Sequence, residues 1–319
     1  MRDALEQGLP LPIQSLPRPG WEKPLRVRSV PPPSIRPAFM AHARLRRASP
    51  MTHYAVSAAL EALGGDAALV ASGALRLGIV ACTMTGGLSY SRRFYEEVLQ
   101  DPSVASPLVF PETVFNAPAS HLSAYLGTTT VNYTIVGDAG AFLHGLALAA
   151  QWLDDGVARA CIVLGAEEAD WTAADALRLF DRHAFPAAGA GALYLKLECP
   201  SRTPVELAAV TDSFSATRAQ AARLMRAQLP PTAPNELLCA NESGNPAWRD
   251  WTGARLTPKT VLGEGFAASA AWQCAAACDA LQRCQYQAAT VSLTGKNQQS
   301  IGARFINANF LKKNTGLLS

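Results

Sequence analysis

Two segments of this sequence would form helices that are apolar on nearly every face. They are residues 140–153 (GAFLHGLALAAQWL) and residues 266–281 (FAASAAWQCAAACDAL). A helix of this kind has no polar face, so we expect it to be buried on all sides. Each segment follows a glycine and an acidic residue, Gly137-Asp138 in the first case and Gly263-Glu264 in the second. The pattern predicts an internal duplication that places one helix from each half at the centre of the fold.

Strand-like runs alternate with these and other helices. Short apolar, β-branched runs predict strands at 77–82, 131–136, 159–165, 191–198, 205–211, 236–240, 287–293 and 301–307. Ser49 followed by Pro50 is a good N-cap for a further helix, and we expect folded structure to begin there. Apolar residues make up 49% of the chain, which is enough for a large core. Alternating strands and helices indicate an α/β architecture.

The chain divides into three predicted parts, residues 1–48, 49–200 and 201–319. The first part contains nine of the 22 prolines and is basic, with nine Arg or Lys against three Asp or Glu in residues 1–50. It reads as an extended arm that lies over the domain as a strap or is partly disordered. The other interpretation is a basic docking surface that includes Arg44, Arg46 and Arg47.

Several classes of protein are disfavoured by the composition. The sequence contains no run of 18 or more apolar residues, so a membrane span is not expected. The first residues do not resemble a signal peptide, and we therefore expect a cytoplasmic protein. Seven cysteines, an odd number in mostly apolar surroundings, favour buried thiols over disulfides. Cys274, Cys278 and Cys284 lack a fourth ligand for a metal site. We expect no metal, no cofactor and no nucleic-acid partner.

The order of the motifs resembles that of one enzyme family. Residues 132–149 look like a strand, an elbow and a helix, residues 157–168 like the strand that follows, and residues 180–193 like a Gly-rich turn before the next strand. Residues 239–245, 259–264 and 291–297 stand where that family has two histidine motifs and a final loop. These segments resemble the β-ketoacyl synthases, which have the thiolase-like fold. The resemblance spans roughly residues 40–310, is less specific after about residue 200, and leaves the family's opening strand unassigned.

The resemblance implies a fold and a site. The fold is αβαβα, with two pseudo-duplicated halves and buried central helices. The family's nucleophilic Cys lies at the elbow before the first central helix, and two histidines stabilise the oxyanion and assist decarboxylation. Carried onto this sequence, the elbow and its pocket comprise Gly137, Asp138, Gly140, Phe142, Leu143 and His144.

The catalytic residues themselves are missing at the matching positions. Ala139 takes the nucleophile position, Asn241 and Glu264 take the two histidine positions, and Lys259 keeps the family's lysine. The last of the five histidines is His183, so none is left for the second half. Asp138 and Glu264 could act as an acid–base pair, but helix capping is favoured for both. His144 is expected to be a buried, hydrogen-bonded imidazole.

The pattern resembles chain-length factors, which are ketosynthase-like subunits without a nucleophile. The resemblance implies an inactive subunit in fatty-acid, polyketide or aryl-polyene biosynthesis that forms a heterodimer with an active ketosynthase through residues 131–136 and works with an acyl carrier protein. One alternative is a thiolase-fold acyltransferase or hydrolase that uses Cys239, Asn241 and Lys259. Another is a homodimeric acyl-binding scaffold that docks the carrier protein through the basic segment 1–50.

Overall fold

The computed structural model describes residues 1–198, 204–232, 235–241 and 244–309. The helices are α1 (Arg2–Gln7), α2 (Pro50–Leu63), α3 (Asp66–Ala71), α4 (Leu88–Gln100), α5 (Ala117–Leu126), α6 (Gly140–Asp154), α7 (Trp171–Phe180), α8 (Arg218–Gln228), α9 (Pro258–Leu262) and α10 (Phe266–Gln282). The strands are β1 (Gln14–Leu16), β2 (Leu25–Val27), β3 (Leu77–Thr83), β4 (Asn132–Val136), β5 (Ala160–Glu167), β6 (Gly189–Lys196), β7 (Val205–Val210), β8 (Phe214–Ser215), β9 (Glu236–Ala240), β10 (Arg255–Leu256), β11 (Ala288–Thr294) and β12 (Gln299–Asn307).

The two large sheets repeat one topology. The first has the strand order β4-β3-β5-β6, and the second contains β10-β9-β11-β12. In each, the first three strands are parallel and the fourth is antiparallel to its neighbour. The central helices α6 and α10 occupy equivalent places, α6 after β4 and α10 after β10 and the short α9. The predicted internal duplication is therefore confirmed.

The sheets and helices form five layers. One cluster of buried apolar side chains joins α2 and α5 to the outer face of the first sheet. The largest cluster joins the inner faces of both sheets to α6 and α10, and a third joins α8 to the second sheet. Strand β3 shows why it is central: Ile79 faces α2 whereas Val80 faces α6, so both faces of the strand are buried. The predicted αβαβα layering is confirmed.

Two glycines allow the central helices to approach the first sheet. A Cβ atom at Gly145 of α6 would lie 2.8 Å from the Sγ of Cys82, and one at Gly165 of β5 would overlap the carbonyl oxygen of Ala267 in α10. Only glycine permits contacts this close. The small-residue composition of both central segments therefore serves tight packing between helix and sheet.

The predicted strands match the observed ones to within about two residues, but one helix was misjudged. We expected α6 to be buried all round, yet His144, Ala147 and Gln151 are exposed on one of its sides. The reason is that β4 is the edge strand of the first sheet, so no further strand of the described residues extends the fold over that side.

Residues 1–48 are folded, so the prediction that folded structure begins at Ser49 is wrong. Helix α1 and the antiparallel pair β1–β2 precede it. Leu25 and Val27 of β2 are buried against Ala174 of α7, and the N–H of Leu11 donates to the carbonyl oxygen of Val261 over 2.9 Å. Burial of these few apolar side chains is enough to hold an otherwise Pro-rich segment on the surface. The boundaries at residues 48 and 200 stay predictions.

The helix start predicted at Ser49 is confirmed. The Oγ of Ser49 accepts a hydrogen bond from the N–H of Thr52, and Pro50 is the first helical residue. Within the described residues, no helix combines the length and the apolar character needed to cross a membrane.

Candidate functional site

The first elbow lies between β4 and α6. The N–H of Gly137 donates to the carbonyl oxygen of Thr83 over 3.0 Å, which fixes the turn to the end of β3. Asp138 Oδ1 accepts from the N–H of Gly140 over 3.2 Å, as expected of a capping residue. Ala139 stands between them at the start of the helix and is 7% exposed. Ala139, which takes the predicted nucleophile position, is therefore almost closed off from solvent.

The backbone at Ala139 is relaxed. Its φ and ψ angles are −50° and −33°, which are ordinary right-handed helical values. Strained backbone conformations persist at functional sites where a reactive group must be presented in a fixed direction. Neither the side chain nor the backbone of Ala139 keeps such a feature.

Asp138 is buried beneath the turn that joins β11 to β12. A Cβ atom at Gly295 would overlap Asp138 Oδ2, so the carboxylate occupies the space where a side chain would start. Burial raises the pKa of Asp138, and the negative charge of nearby Glu264 raises it further. Asp138 thus lies near enough to Glu264 for the charge of Glu264 to affect its pKa.

The second elbow, residues 263–265 between α9 and α10, contains a buried ion pair. Lys259 Nζ contacts Glu264 Oε2, with side chains that are only 15% and 6% exposed. Glu264 Oε1 accepts from the N–H of Phe266 over 3.1 Å, which caps α10. Both oxygens of Glu264 are thus engaged, one by the lysine and one by the helix. The capping prediction is confirmed for both acidic residues.

The backbone of the second elbow is strained. Gly263 has a φ angle of 101°, and a Cβ atom there would lie 2.8 Å from the carbonyl oxygen of Phe185. Phe266, which is not a glycine, has a φ angle of 42°. Two backbone hydrogen bonds of 2.8 Å, from Glu264 N–H to Phe185 and from Ala187 N–H to the Glu264 carbonyl, hold this conformation. Contacts with the surrounding loop therefore offset the strain.

Asn241 is bound on both sides of its amide to one neighbour. Its Nδ2 donates to the carbonyl oxygen of Thr294 over 2.7 Å, and its Oδ1 accepts from the N–H of Thr294 over 3.2 Å. Thr294 is followed by Gly295, which lies against Asp138. The charge of Glu264 in turn raises the pKa of Asp138. A chain of contacts therefore links Asn241 to Asp138 through Thr294 and Gly295. Asn241, Lys259 and Glu264 have partners inside the protein, whereas Asp138 Oδ2 is buried without a hydrogen-bond partner among the described residues.

The side chains below the elbow differ in exposure. Phe142 and Leu143 are fully buried in the central cluster, and Gly140 lies close to Ile301 of the second sheet. His144 is exposed, so the prediction of a buried imidazole is wrong. It lies on the open side of α6 described above, where the fold offers it no cover.

Four of the six described cysteines are buried. Cys239 lies inside β9 with no exposed surface, and burial raises the pKa of its thiol, as it does for Cys82. Burial also raises the pKa of Cys161 to about 11. In this alternative set, Cys239 is thus a buried thiol with a raised pKa, and Asn241 and Lys259 contact Thr294 and Glu264.

The remaining cysteines are mixed in exposure. Cys274 is buried and Cys278 partly so, whereas Cys284 is exposed, which contradicts the expectation of a buried thiol there. Cys284 has a φ angle of 57° in the turn after α10, where the chain leaves the core. Cys199 lies outside the described residues. Among the residues that are described, no three His, Cys, Asp or Glu side chains are grouped as a metal site would require.

Two buried carboxylates near the site were not anticipated from the sequence. Glu167 Oε1 accepts from Met84 N–H over 2.5 Å, and its Oε2 accepts from the N–H and the hydroxyl of Thr85 over 3.2 and 2.7 Å. Burial raises the pKa of Glu167 to about 7. Glu168 binds Ser89 in the same way. The available signal was the position of both residues at the carboxyl end of a buried strand.

Two predicted interaction surfaces are exposed. Of the strands in the described residues, β4 pairs with β3 alone, and Tyr133 and Val136 along it are 56% and 51% exposed. The three basic residues Arg44, Arg46 and Arg47 are exposed in the turn before α2. The hydroxyl of Tyr90 in α4 donates to the carbonyl oxygen of Arg47 over 3.1 Å, which ties this turn to α4.

Solved structures similar to this one are ketosynthases. An ishigamide ketosynthase/chain length factor matches with a TM-score of 0.71 and 17% identity over 88% of this chain and 87% of its own. A type II PKS ketosynthase, in complex with its acyl-carrier protein and bound to the hexaketide, matches with a TM-score of 0.70 and 16% identity over 88% and 89%. A β-ketoacyl synthase from Burkholderia phymatum STM815 matches with a TM-score of 0.72 and 15% identity over 96% and 94%.

These likenesses show the fold. The chain has the thiolase-like fold of ketosynthases, as the sequence motifs predicted, and it resembles a ketosynthase/chain-length-factor structure over most of its length. No protein-family model matches the chain, and no curated protein matches its sequence.

Proposed function

We propose that this protein is a catalytically inactive ketosynthase-like subunit that acts, as chain-length factors do, as the partner of an active ketosynthase. The observation that carries the proposal is Ala139, an inert residue in relaxed backbone at the helix start where the resemblance places a nucleophile. A helix N-terminus would lower the pKa of a thiol in that place, but a methyl group has no proton to lose.

The two other catalytic positions support the same proposal. Glu264 is neutralised by Lys259 and caps α10, and Asn241 is bound to Thr294. Both oxygens of Glu264 are engaged, and the Asn241 amide pairs with both backbone groups of Thr294, so one amide N–H of Asn241 is all that these two side chains could offer a thioester carbonyl. The site therefore serves as the rigid junction between the two halves of the fold, and the condensation chemistry belongs to the partner.

The exposed edge of β4 is the proposed partner surface. An unpaired edge strand with apolar side chains is a template for pairing with another chain, and natural proteins seldom leave one uncovered. The open side of α6, with His144 and Ala147, has the exposure expected of a continuation of that surface. A second ketosynthase-like chain that pairs along β4 would cover Tyr133 and Val136.

Co-expression with a complete ketosynthase from the same source tests the proposal. We expect a stable one-to-one complex in size-exclusion chromatography with light scattering. Val136→Lys should abolish it by placing a charge in the interface, whereas Val157→Lys, at a similarly exposed valine in the turn before β5, should leave it intact. A homodimer that excludes the ketosynthase would contradict the heterodimer, and a ketosynthase-like activity of the chain alone would contradict its inactivity.

Carrier-protein docking at Arg44, Arg46 and Arg47 is the second part of the proposal. Their exposure and shared charge suit an acidic carrier protein, and exposed charges act mainly on the rate of association. We expect Arg46→Glu with Arg47→Glu to lower the association rate of the complex with carrier protein about tenfold at low salt. Arg223→Glu, at an exposed arginine of α8, is the matched control and should change the rate little.

A further inference from the structure

The two halves of the fold differ at one sheet edge. In the second half, β12 pairs on its outer side with β7, from Ala303 opposite Val210 to Asn307 opposite Val205. In the first half, β6 is the equivalent strand, and its outer edge pairs with no strand of the described residues. Within the described residues, the internal duplication therefore leaves a place for one more strand beside β6.

That place is a groove with walls on both faces. A cavity of about 1690 Å³ runs along β6 from Ala190 to Leu197. Trp272 of α10 forms one wall and donates from Nε1 to the carbonyl oxygen of Ala190 over 2.9 Å. Ala58 and Ala62 of α2 line the other wall, and α1 closes the rim through ion pairs that join Arg2 and Glu6 to α10 and the turn after it.

The chemistry of the groove fits a polypeptide strand. Its floor is the edge of a sheet, whose backbone N–H and C=O groups need hydrogen-bonding partners that a hydrocarbon chain cannot offer. In the second half, Val205, Leu207 and Val210 of β7 pack against the central apolar cluster. A strand beside β6 would reach the same cluster from the other half, where Leu193 and Leu195 are only partly buried.

The charge of the groove indicates which charged residues a bound strand would carry. Its lining includes seven carboxylate side chains and four cationic ones. Three of the cations, Arg2, Lys196 and Arg283, are already engaged by aspartate or glutamate. The rim is therefore left acidic, and it complements lysine or arginine at the ends of a bound segment.

We propose that this groove is a binding slot for an extended segment of another polypeptide. The segment runs antiparallel to β6, as β7 runs to β12, with apolar residues facing α10 and basic residues at its ends. It binds by adding a strand to the sheet, so main-chain hydrogen bonds contribute affinity and the apolar wall selects side chains. The slot lies at the opposite edge of the first sheet from β4, so it is independent of the proposed function.

A labelled peptide with the β7 sequence flanked by two lysines at each end is the probe. We expect it to saturate the full-length protein below about 1 mM in fluorescence anisotropy, more weakly as salt rises, and to slow amide hydrogen exchange in β6 at least tenfold. The same peptide with prolines at two alternate positions should not bind, because proline cannot donate to the ladder.

Variants locate the binding site. Ala275 of α10 lines the groove and is partly exposed, so Ala275→Trp should fill the slot and abolish peptide binding without opening the core. Ala68→Trp, at an exposed alanine of α3 outside the groove, is the control and should bind as the wild type does. Absence of binding at 1 mM (about the weakest affinity of interest), or β6 amides already protected in the free protein, would overturn the proposal. Binding that appears only after removal of residues 310–319 would also overturn it, since the chain's own end would then be the occupant.

Discussion

The two elbows share the same sequence of features before a central helix, but they differ in backbone strain and in charge pairing. Each has a glycine, an acidic residue that caps a central helix, and a buried position at the helix start. The first elbow, at Ala139, is relaxed and carries no ion pair. The second is strained at Gly263 and Phe266 and is held by the ion pair between Lys259 and Glu264.

The difference in backbone strain and charge pairing indicates a different structural role for each elbow. Strained backbone and a buried ion pair cost free energy and persist only where the surroundings hold them. The second elbow retains both, because it fixes the loop at Phe185 and Ala187 against α10. The first elbow is relaxed, and alanine stands where the resemblance predicts a nucleophile. Its contact with the second half of the fold is the carboxylate of Asp138 under Gly295.

The largest effect should come from breaking the ion pair of the second elbow. Lys259→Met leaves Glu264 as an uncompensated buried charge, and we expect a loss of about 3–5 kcal/mol in the free energy of unfolding, measured by urea denaturation. The double variant Lys259→Met with Glu264→Gln should recover most of that loss. A single variant as stable as the wild type would show that the pair does not hold the second elbow.

The contact between Asp138 and Gly295 should give the next largest effect. Gly295→Ala places a Cβ atom on the carboxylate, so we expect a loss of about 1–3 kcal/mol in the free energy of unfolding. Asp138→Ala removes the opposing group and should restore stability to the Gly295→Ala background. Additive losses in the double variant would contradict a direct contact between the elbows.

A smaller effect should appear as a dependence of stability on pH. Burial and then the charge of Glu264 raise the pKa of Asp138, so the folded state holds its proton more tightly than the unfolded state. Its contribution to stability is fully present below about pH 4, the ordinary aspartate pKa, and is lost as pH rises through the raised pKa. Asp138→Asn should flatten this fall in thermal denaturation curves. An unchanged slope would show that another carboxylate, such as Glu167, accounts for it.

The smallest effect should follow from restoring the missing thiol. Ala139→Cys adds one sulfur atom, and we expect a change in unfolding free energy below about 1 kcal/mol. We also expect no condensing activity, because Asn241 and Glu264 still replace the histidines and the elbow is relaxed. Condensation of an acyl thioester with a malonyl thioester by this variant would refute the description of the site.

The sequence predicted the interior of the fold better than its borders. Strands such as β3 and β5 are buried on both faces, so their apolar runs identified them directly. The central helices were identified by the same signal, but the open side of α6 at His144 was not, because it depends on which strand ends the sheet. The start of folded structure was predicted too late, at Ser49, because Leu25 and Val27 are buried through tertiary contacts that no local pattern reveals.

For the site, the sequence indicated positions but not partners. The motif order identified Ala139, Asn241, Lys259 and Glu264, and the structure pairs Lys259 with Glu264 and Asn241 with Thr294. That Lys259 neutralises Glu264 required the coordinates, since a strained turn separates them along the chain. The role of Gly295 was equally hidden, because a glycine in a turn gives no sign of what lies against its missing side chain.

Acylation of the protein tests most directly the claim that the scaffold is kept without the chemistry. The purified chain and a complete ketosynthase would be incubated together with an acyl-carrier-protein thioester, and each subunit would be measured by intact-protein mass spectrometry. We expect an acyl adduct on the ketosynthase, which serves as the positive control, and none on this chain. A stoichiometric adduct on this chain, at any residue, would show that it has kept or regained a nucleophile and would contradict the account.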